Sequence, residues 1–297
     1  MKRHALFLFA LLVVGATLVA APQAPAALDT AAIDKAFGMP GQLMGDVYRI
    51  GMPRTDLAVT VHGIAIKPGL ALGSWAAFRK AGADTVVHGD LVLTETEINP
   101  LISKLQAGGF QITALHNHLL EETPHVMYLH YWGRGAEATL ATTLRGALQG
   151  TKTPLTSAPA PAAGAAQPDP GFDAAAMSAA LGKTGTVRGG VMSVSIPRPE
   201  KIMMMDVELP PSMGMATSIN VQAAGAGKVA ATGDFVMIGS EVNPIAKALR
   251  SHGIAITALH SHMIHGTPTL QFMHFWAEDT PANVAAGLKA AIDLLAR

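Results

Sequence analysis

No cysteine occurs in the 297 residues. Disulfides, a thiolate nucleophile and cysteine-ligated zinc are therefore excluded. Charge is scarce as well: Asp, Glu, Lys and Arg make up 14% of the chain, and 21 basic residues balance 21 acidic ones. A chain without a basic excess lacks the electrostatic footprint of a nucleic-acid binder. No nucleophile elbow, P-loop or dinucleotide fingerprint is present. What is present in quantity is apolar. At 49% hydrophobic, the chain can bury a sizeable core and has no reason for general disorder. Its length suits two domains of ordinary size.

The first residues have a composition of their own. Lys2, Arg3 and His4 precede a continuous apolar run from Ala5 to Ala20, and small residues with Pro follow from Ala21 to Ala27. This is the three-part layout of a secretory signal peptide. It is assigned to residues 1–26, with cleavage near Ala21 to Ala26. The apolar run is short for a hydrocarbon core about 30 Å thick, so an uncleaved anchor fits less well. Loss of Lys2 and Arg3 leaves 19 basic against 21 acidic residues. The expected location is periplasmic or secreted, with no stable membrane span after cleavage.

Beyond that segment the chain repeats itself. Thr113 to Trp132 reads TALHNHLLEETPHVMYLHYW, and Thr257 to Trp276 reads TALHSHMIHGTPTLQFMHFW. Nine of the twenty positions are identical at an offset of 144 residues. Pro53-Arg54 matches Pro197-Arg198, Gly89-Asp90 matches Gly233-Asp234, and Glu97-x-Asn99-Pro100 matches Glu241-x-Asn243-Pro244. Repeats of this length are duplicated domains and not solenoid units. The first is assigned to residues 29–150 and the second to 172–297. Between them, 151–171 is rich in Ala and Pro and reads as a linker.

Each unit alternates strand and helix patterns. Asp29 or Thr30 caps a short helix that ends at Gly38. Val47 to Ile50, Leu57 to Ile66, Trp75 to Phe78 and Thr85 to Leu93 have strand character. Thr96 is placed as the cap of a helix whose apolar face is Ile98, Leu101, Ile102 and Leu105, and Ser240 has the matching place later. Two further strands, Gln111 to His118 and Val126 to Trp132, precede a last helix with Leu140, Leu144 and Leu148 in one stripe. The expected fold is α+β: two tandem homologous domains, each a mainly antiparallel sheet with helices packed on one face.

Three histidines persist in both copies while their neighbours change. In a strand, His116 and His118 share a face, and His130 on the return strand joins them if the register agrees. The second copy offers His260, His262 and His274. Three neutral imidazoles on one hairpin suit zinc or copper, whereas single histidines in apolar strands also serve as hydrogen-bonded core residues. Each triplet is expected to converge within its own copy. Glu122 lies four residues after His118, a cupin-like spacing, but its counterpart is Gly266 and the helices do not suit a cupin. Glu97 and Glu241 fall in a first helical turn, where the dipole favours an anion. Gly89-Asp90 reads as turn chemistry, and Arg54 and Arg198 as solvated strand-end residues. His62 matches Asp206, and His88 matches Thr232. Met203, Met204, Met205, Met213 and Met215 are read as core filler rather than thioether ligands.

With GDLVLTETEINP upstream, TALHNH at its centre and VMYLH downstream, the chain resembles a bacterial family named for the LppY and LpqO putative lipoproteins, a domain of unknown function. The resemblance implies a secreted protein with two related halves, and it supplies no reaction. No Cys follows the apolar segment for lipid attachment, and His125 stands where that family's pattern has Arg. The sequence supports an exported ligand- or metal-binding or interaction protein using His-x-His hairpins, for an unidentified small ligand or envelope partner. The alternatives are a metal-dependent hydrolase, with Glu122 or Glu97 as base, and a structural envelope protein.

Overall fold

The computed structural model describes residues 27–156 and 167–295. The expected signal peptide and residues 157–166 of the linker lie outside them. The first half runs α1 (Thr30–Phe37), β1 (Gln42–Met44), β2 (Val47–Pro53), β3 (Thr60–Val61), β4 (Ile64–Ala65), α2 (Pro68–Ala71), β5 (Gly73–Ala81), β6 (Asp84–Thr94), α3 (Glu95–Ala107), β7 (Gln111–His116), β8 (Glu122–Thr123), β9 (Val126–Gly135) and α4 (Glu137–Leu148). The second half repeats this order as α5 (Ala174–Leu181), β10 (Thr186–Arg188), β11 (Val191–Pro197), β12 (Met203–Met204), β13 (Val207–Glu208), β14 (Ala216–Gly225), β15 (Lys228–Ile238), α6 (Val242–Ser251), β16 (Ala255–His260), β17 (Gly266–Thr267), β18 (Leu270–Asp279) and α7 (Pro281–Ile292). A 3-10 turn at Pro211–Met213 replaces α2.

Each half forms a six-stranded sheet, ordered β1-β2-β5-β6-β9-β7 and β10-β11-β14-β15-β18-β16, with antiparallel neighbours throughout. Period-two alternation gives each sheet two faces. In the first half Ile50, Phe78, Val87, Leu91, Leu129 and Tyr131 point one way and pack with Ile33, Leu101, Leu105 and Leu144 of the helices. Val194, Ile219, Ala231, Phe235 and Phe275 do the same in the second half, against Leu181, Ile245, Leu249 and Leu288. Each half is therefore a helix-covered antiparallel sheet, as its pattern implied.

The other faces of the two sheets meet each other. Two apolar clusters sit between them, each mixing both halves. In one, Val47, Trp75 and Trp132 pack with Met204, Met213, Met215, Val236 and Phe272. In the other, Val61, Leu70, Val92 and Tyr128 pack with Val191, Ala230 and Trp276. The strands β3, β4 and β8 form a small sheet that serves the second cluster, and β12, β13 and β17 form its counterpart in the first. A fully buried aliphatic or aromatic side chain contributes roughly 1.5–3 kcal/mol, so these shared clusters bind the halves firmly. Polar groups cross as well: Asn220 Nδ2 donates to Leu70 O at 3.1 Å and Gln222 Nε2 to Ala65 O at 2.8 Å.

Several local expectations need correction. The helix α3 is capped at Thr94, where Glu97 Oε2 accepts from Thr94 N at 2.9 Å to complete a capping box, so Thr96 is already inside it. Its counterpart α6 is capped by Glu241, one residue past Ser240. Leu57 to Ile66 is not one strand but the β3–β4 hairpin. Gly89-Asp90 is no turn: it lies in the middle of β6. A side chain on Gly89 would strike the Tyr131 ring hydroxyl and Trp75 O, and one on Gly233 would strike Ser218 O. Glycine is needed there for close packing, and Asp90 and Asp234 then point to the opposite face.

Arg54 and Arg198 are not solvated. Arg54 has no exposed surface and donates to Glu97 Oε2 at 2.8 Å, Asp56 Oδ2 at 2.8 Å and Val92 O at 2.6 Å. Burial opposes its charge, but Asp56 and Glu97 outweigh that and hold it above the ordinary arginine value. Arg198 repeats the network with Glu200 and Glu241. Residues 151–156 of the expected linker dock on the first half, where Lys152 N donates to Glu97 Oε1 at 2.7 Å.

Candidate metal centre

The strand β9 lies between β6 and β7, and its register fixes what faces the second half. His130 stands opposite Asp90 on one side and Ala114 on the other, and Tyr128 stands opposite His116. The strand β7 is irregular between Ile112 and Ala114 and ends at His116. His118 is therefore not on a strand, as simple alternation required. It still returns to the same place: its Nε2 lies 3.1 Å from His116 Nε2, and its ring stacks on Tyr128 at 3.4 Å between centroids. The second half matches this, with His274 opposite Asp234 and Ala258, and His262 stacked on Phe272 at 3.7 Å.

Each triplet converges as expected: the ring nitrogens of His116, His118 and His130 are mutually within 4.8 Å, and so are those of His260, His262 and His274. The two triplets are not separate, however. They meet at the inter-sheet face as one cluster. His116 stacks on its own counterpart His260 at 3.7 Å, His118 on His274 at 3.8 Å, and His130 on His262 at 3.8 Å. Exchanging the halves maps the last two pairs onto each other, so a pseudo-two-fold axis passes between His116 and His260. Two sets of ring nitrogens lie within 4.8 Å of one another: His116, His260, His262 and His274, and His116, His118 and His130.

Two carboxylates border these rings. Asp90 Oδ2 is 3.8 Å from His118 Nε2, and Asp90 Oδ1 is 3.8 Å from His130 Nε2. Burial raises Asp90 to about 8, against the opposing pull of Arg49 and the Leu91 N–H. Burial, then the nearness of Asp90, pushes Asp234 well up. The imidazoles move the other way. Burial first, then mutual repulsion, drives His116, His118, His130 and His262 well down, and His274 falls to about 3. Burial takes His260 to about 4. The rings are thus neutral at ordinary pH, with lone pairs free to bind. His274 Nδ1 donates to Gly233 O at 3.0 Å, which leaves Nε2 as the lone-pair nitrogen and orients the ring as metal-binding histidines are oriented.

A cavity of about 350 Å³ opens beside the cluster, lined by Arg49, Asp90, His118, His130, Asp234 and His274 among others. Arg49 lies over the Trp75 ring at 4.1 Å and donates to Ser212 O at 3.0 Å. Burial lowers it to about 10, so it keeps its charge.

The two glutamates proposed as bases are elsewhere engaged. Glu97 is held by Arg54 and by the Thr94 and Lys152 N–H groups. Glu122 is paired with His125 Nδ1 at 2.6 Å and accepts from Val126 N at 3.3 Å. Neither belongs to the two close sets. His62 and Asp206 sit at the surface, where His62 meets Glu121 and Asp206 meets Arg134. Met204, Met213 and Met215 are buried in the apolar cluster. The residues missed from sequence are Asp90, Asp234 and Arg49. A signal existed: Val86, His88, Asp90 and Val92 alternate through β6 on the face opposite its core residues.

Fold and site together define a duplicated α+β protein whose two antiparallel sheets close over a shared cluster of six histidines. The chain belongs to the family described as Domain of Unknown Function (DUF1259), whose model matches residues 31–150 and again 175–294. No curated protein matches it. Among solved structures, the trimeric bacterial microcompartment shell protein PduB is 13% identical, with 86% of this chain and 88% of that chain covered and a TM-score of 0.23. EtuB from Clostridium kluyveri is 8% identical over the same shares, with a TM-score of 0.20. Scores this low carry no argument about fold or function.

Proposed function

We propose that the protein is an exported metal-binding protein whose two halves jointly hold a transition-metal ion of the zinc or copper class. The observation that carries this reading is the convergence of six neutral imidazoles from both halves on one buried point. Among the described residues, buried side-chain atoms without a hydrogen-bond partner include eight nitrogens of these rings, plus Asp90 Oδ1, Asp234 Oδ1 and His88 Nε2. At about 1–3 kcal/mol for each unsatisfied group, eleven such atoms would cost about 11–33 kcal/mol, comparable to or larger than the roughly 5–15 kcal/mol by which a typical domain is stable. Water in the cavity can satisfy some of them. An ion satisfies several at once, and nitrogen donors without thiolates suit Zn²⁺ and Cu²⁺ better than the oxygen-seeking Mg²⁺ or Ca²⁺.

The hydrolase reading draws less support, because Glu97 is held by Arg54 and backbone N–H groups, and Glu122, paired through Oε1 with His125 and Val126 N, belongs to neither close set of ring nitrogens. A purely structural role leaves the clustered unpaired nitrogens without a purpose. The basic and apolar N-terminal segment, with the likeness to the LppY and LpqO putative lipoproteins, supports export.

The test is metal analysis of untagged protein after dialysis against buffer without chelator. At least one equivalent of zinc or copper per chain is expected, and the double variant His116→Ala, His260→Ala should bind measurably less. Wild-type protein that takes up neither metal when each is offered in excess would sink the proposal. Fractionation and mass spectrometry test export, with an N-terminus expected between Ala21 and Leu28.

A further inference from the structure

Resting on that metal reading, we propose that the centre takes two ions, and that the second is held by His118, His130 and Asp90 with one coordination position open to the inter-sheet cavity. The ring nitrogens fall into two close sets that share only His116. Zinc is satisfied by four ligands, so one ion cannot use six imidazoles. The set of His116, His260, His262 and His274 closes a four-nitrogen shell by itself. It leaves His118 and His130 with lone pairs and no ion.

Asp90 completes that remainder. Its two oxygens lie 3.8 Å from His118 Nε2 and from His130 Nε2. Ligands about 2.0–2.1 Å from a tetrahedral ion stand roughly 3.4 Å apart, so only a few tenths of an ångström of closure are needed. The carboxylate is 6% exposed and its Oδ1 has no hydrogen-bond partner. The register makes this placement rigid, since Asp90 is paired directly with His130 across β6 and β9.

The two ions would differ in access. His118, His130 and Asp90 all line the cavity, whereas only two of the four-nitrogen set do, His262 and His274, and His116 and His260 lie behind them. Three protein ligands with an open fourth position mark an exchangeable site, and four protein ligands mark a closed one. Arg49 lines the same cavity, so water or a small anion at the open position would meet a cation. With two divalent ions, Arg49 and the Asp90 carboxylate, the centre carries a net positive charge, which favours an anion there.

The experiment is stoichiometric. Untagged full-length chain is stripped with chelator and titrated with Zn²⁺, and bound metal is counted by mass spectrometry and calorimetry. Two ions per chain are expected, one of them released at least tenfold faster to a competing chelator. Asp90→Asn and, separately, His118→Gln should each reduce the count to one and abolish the fast phase, with near-ultraviolet circular dichroism unchanged. One ion per chain in wild type, unaltered by Asp90→Asn, overturns the second site and leaves the metal reading standing. No bound ion removes both.

Discussion

Where the first half places His88 the second places Thr232, and both reach the same carbonyl. His88 Nδ1 donates to Tyr131 O at 3.0 Å, and Thr232 Oγ1 donates to the equivalent Phe275 O at 2.7 Å. The backbone need is common to both halves, and only the first adds an imidazole that stacks on His130 at 5.5 Å. A second contrast lies one strand away. Trp75 faces Asp90, whereas the residue facing Asp234 is Ser218. The 144-residue offset therefore slips by one in β14, and a bulge between Ala223 and Gly225 restores it. The first half fills its inner face with Trp75 and Arg49, and the second offers Ser195, Ser218 and Asn220. The cavity exists because one repeat is bulky where the other is small.

The comparison can be pressed hardest at the buried arginines. Removing one partner of a buried ion pair costs about 3–5 kcal/mol. Arg54→Ala should fall in that range by urea denaturation, because it strands Glu97 and Asp56. Arg198→Ala should cost less, since Glu200 is more exposed than Asp56. Equal losses, or a larger one at Arg198, would show that the exposure of the second carboxylate does not set the difference.

Acid should act next. The ring pKa values in the folded chain lie below the unfolded value of about 6.5, with His260 and His88 near 4 and His274 near 3. The unfolded chain then binds more protons, so stability falls as pH drops from about 6.5 towards those values. Asp90 works oppositely. Raised to about 8, it weakens the fold as pH rises from its unfolded value of about 3.9 towards 8, and the upward shift of Asp234 adds to this. Histidines outnumber these aspartates, so the acid loss dominates below pH 6.5. Thermal melts of metal-free protein should peak near pH 6.5. A flat profile from pH 4 to 8 would show that these rings titrate normally.

His88 allows a finer test. His88→Ala deprives a buried carbonyl of its side-chain donor and should cost about 1–3 kcal/mol. His88→Thr copies the second half, keeps a donor in place, and should cost about 1 kcal/mol or less. Matching losses in chemical denaturation would mean that the Tyr131 carbonyl does not depend on that donor. The smallest effect belongs to the surface: Arg134→Glu should destabilise slightly, Asp206→Arg added to it should restore part of the loss, the remainder being repulsion from Asp84, and both effects should fade in high salt.

Legibility followed locality. The helix-covered sheets were readable because alternation and helical stripes depend only on near neighbours. The persistence of His116, His118 and His130 in both copies marked them as well. What stayed hidden was everything set by the second face. The strand ends at His116, so alternation cannot aim His118, which reaches the cluster through the following turn. Nothing local says that two inner faces meet, so one joint cluster read as two separate triplets. Asp90 looked like turn chemistry because Gly89 precedes it, although that glycine answers to Tyr131 on the opposite face.

One surface feature bears on which surfaces the chain can accept as partners. At the tip of the β3–β4 hairpin His62 Nδ1 lies 3.6 Å from Glu278, and at the equivalent tip Asp206 pairs with Arg134. Glu278 and Arg134 are themselves equivalent positions, so the same contact occurs twice with its polarity reversed. Two first halves brought together would set His62 against Arg134, and two second halves would set Asp206 against Glu278. Only the mixed pairing sets the His62 ring against a carboxylate and Asp206 against a guanidinium. The two repeats thus carry the same tip contact written in opposite senses, so each half is shaped to receive the other and not a second copy of itself.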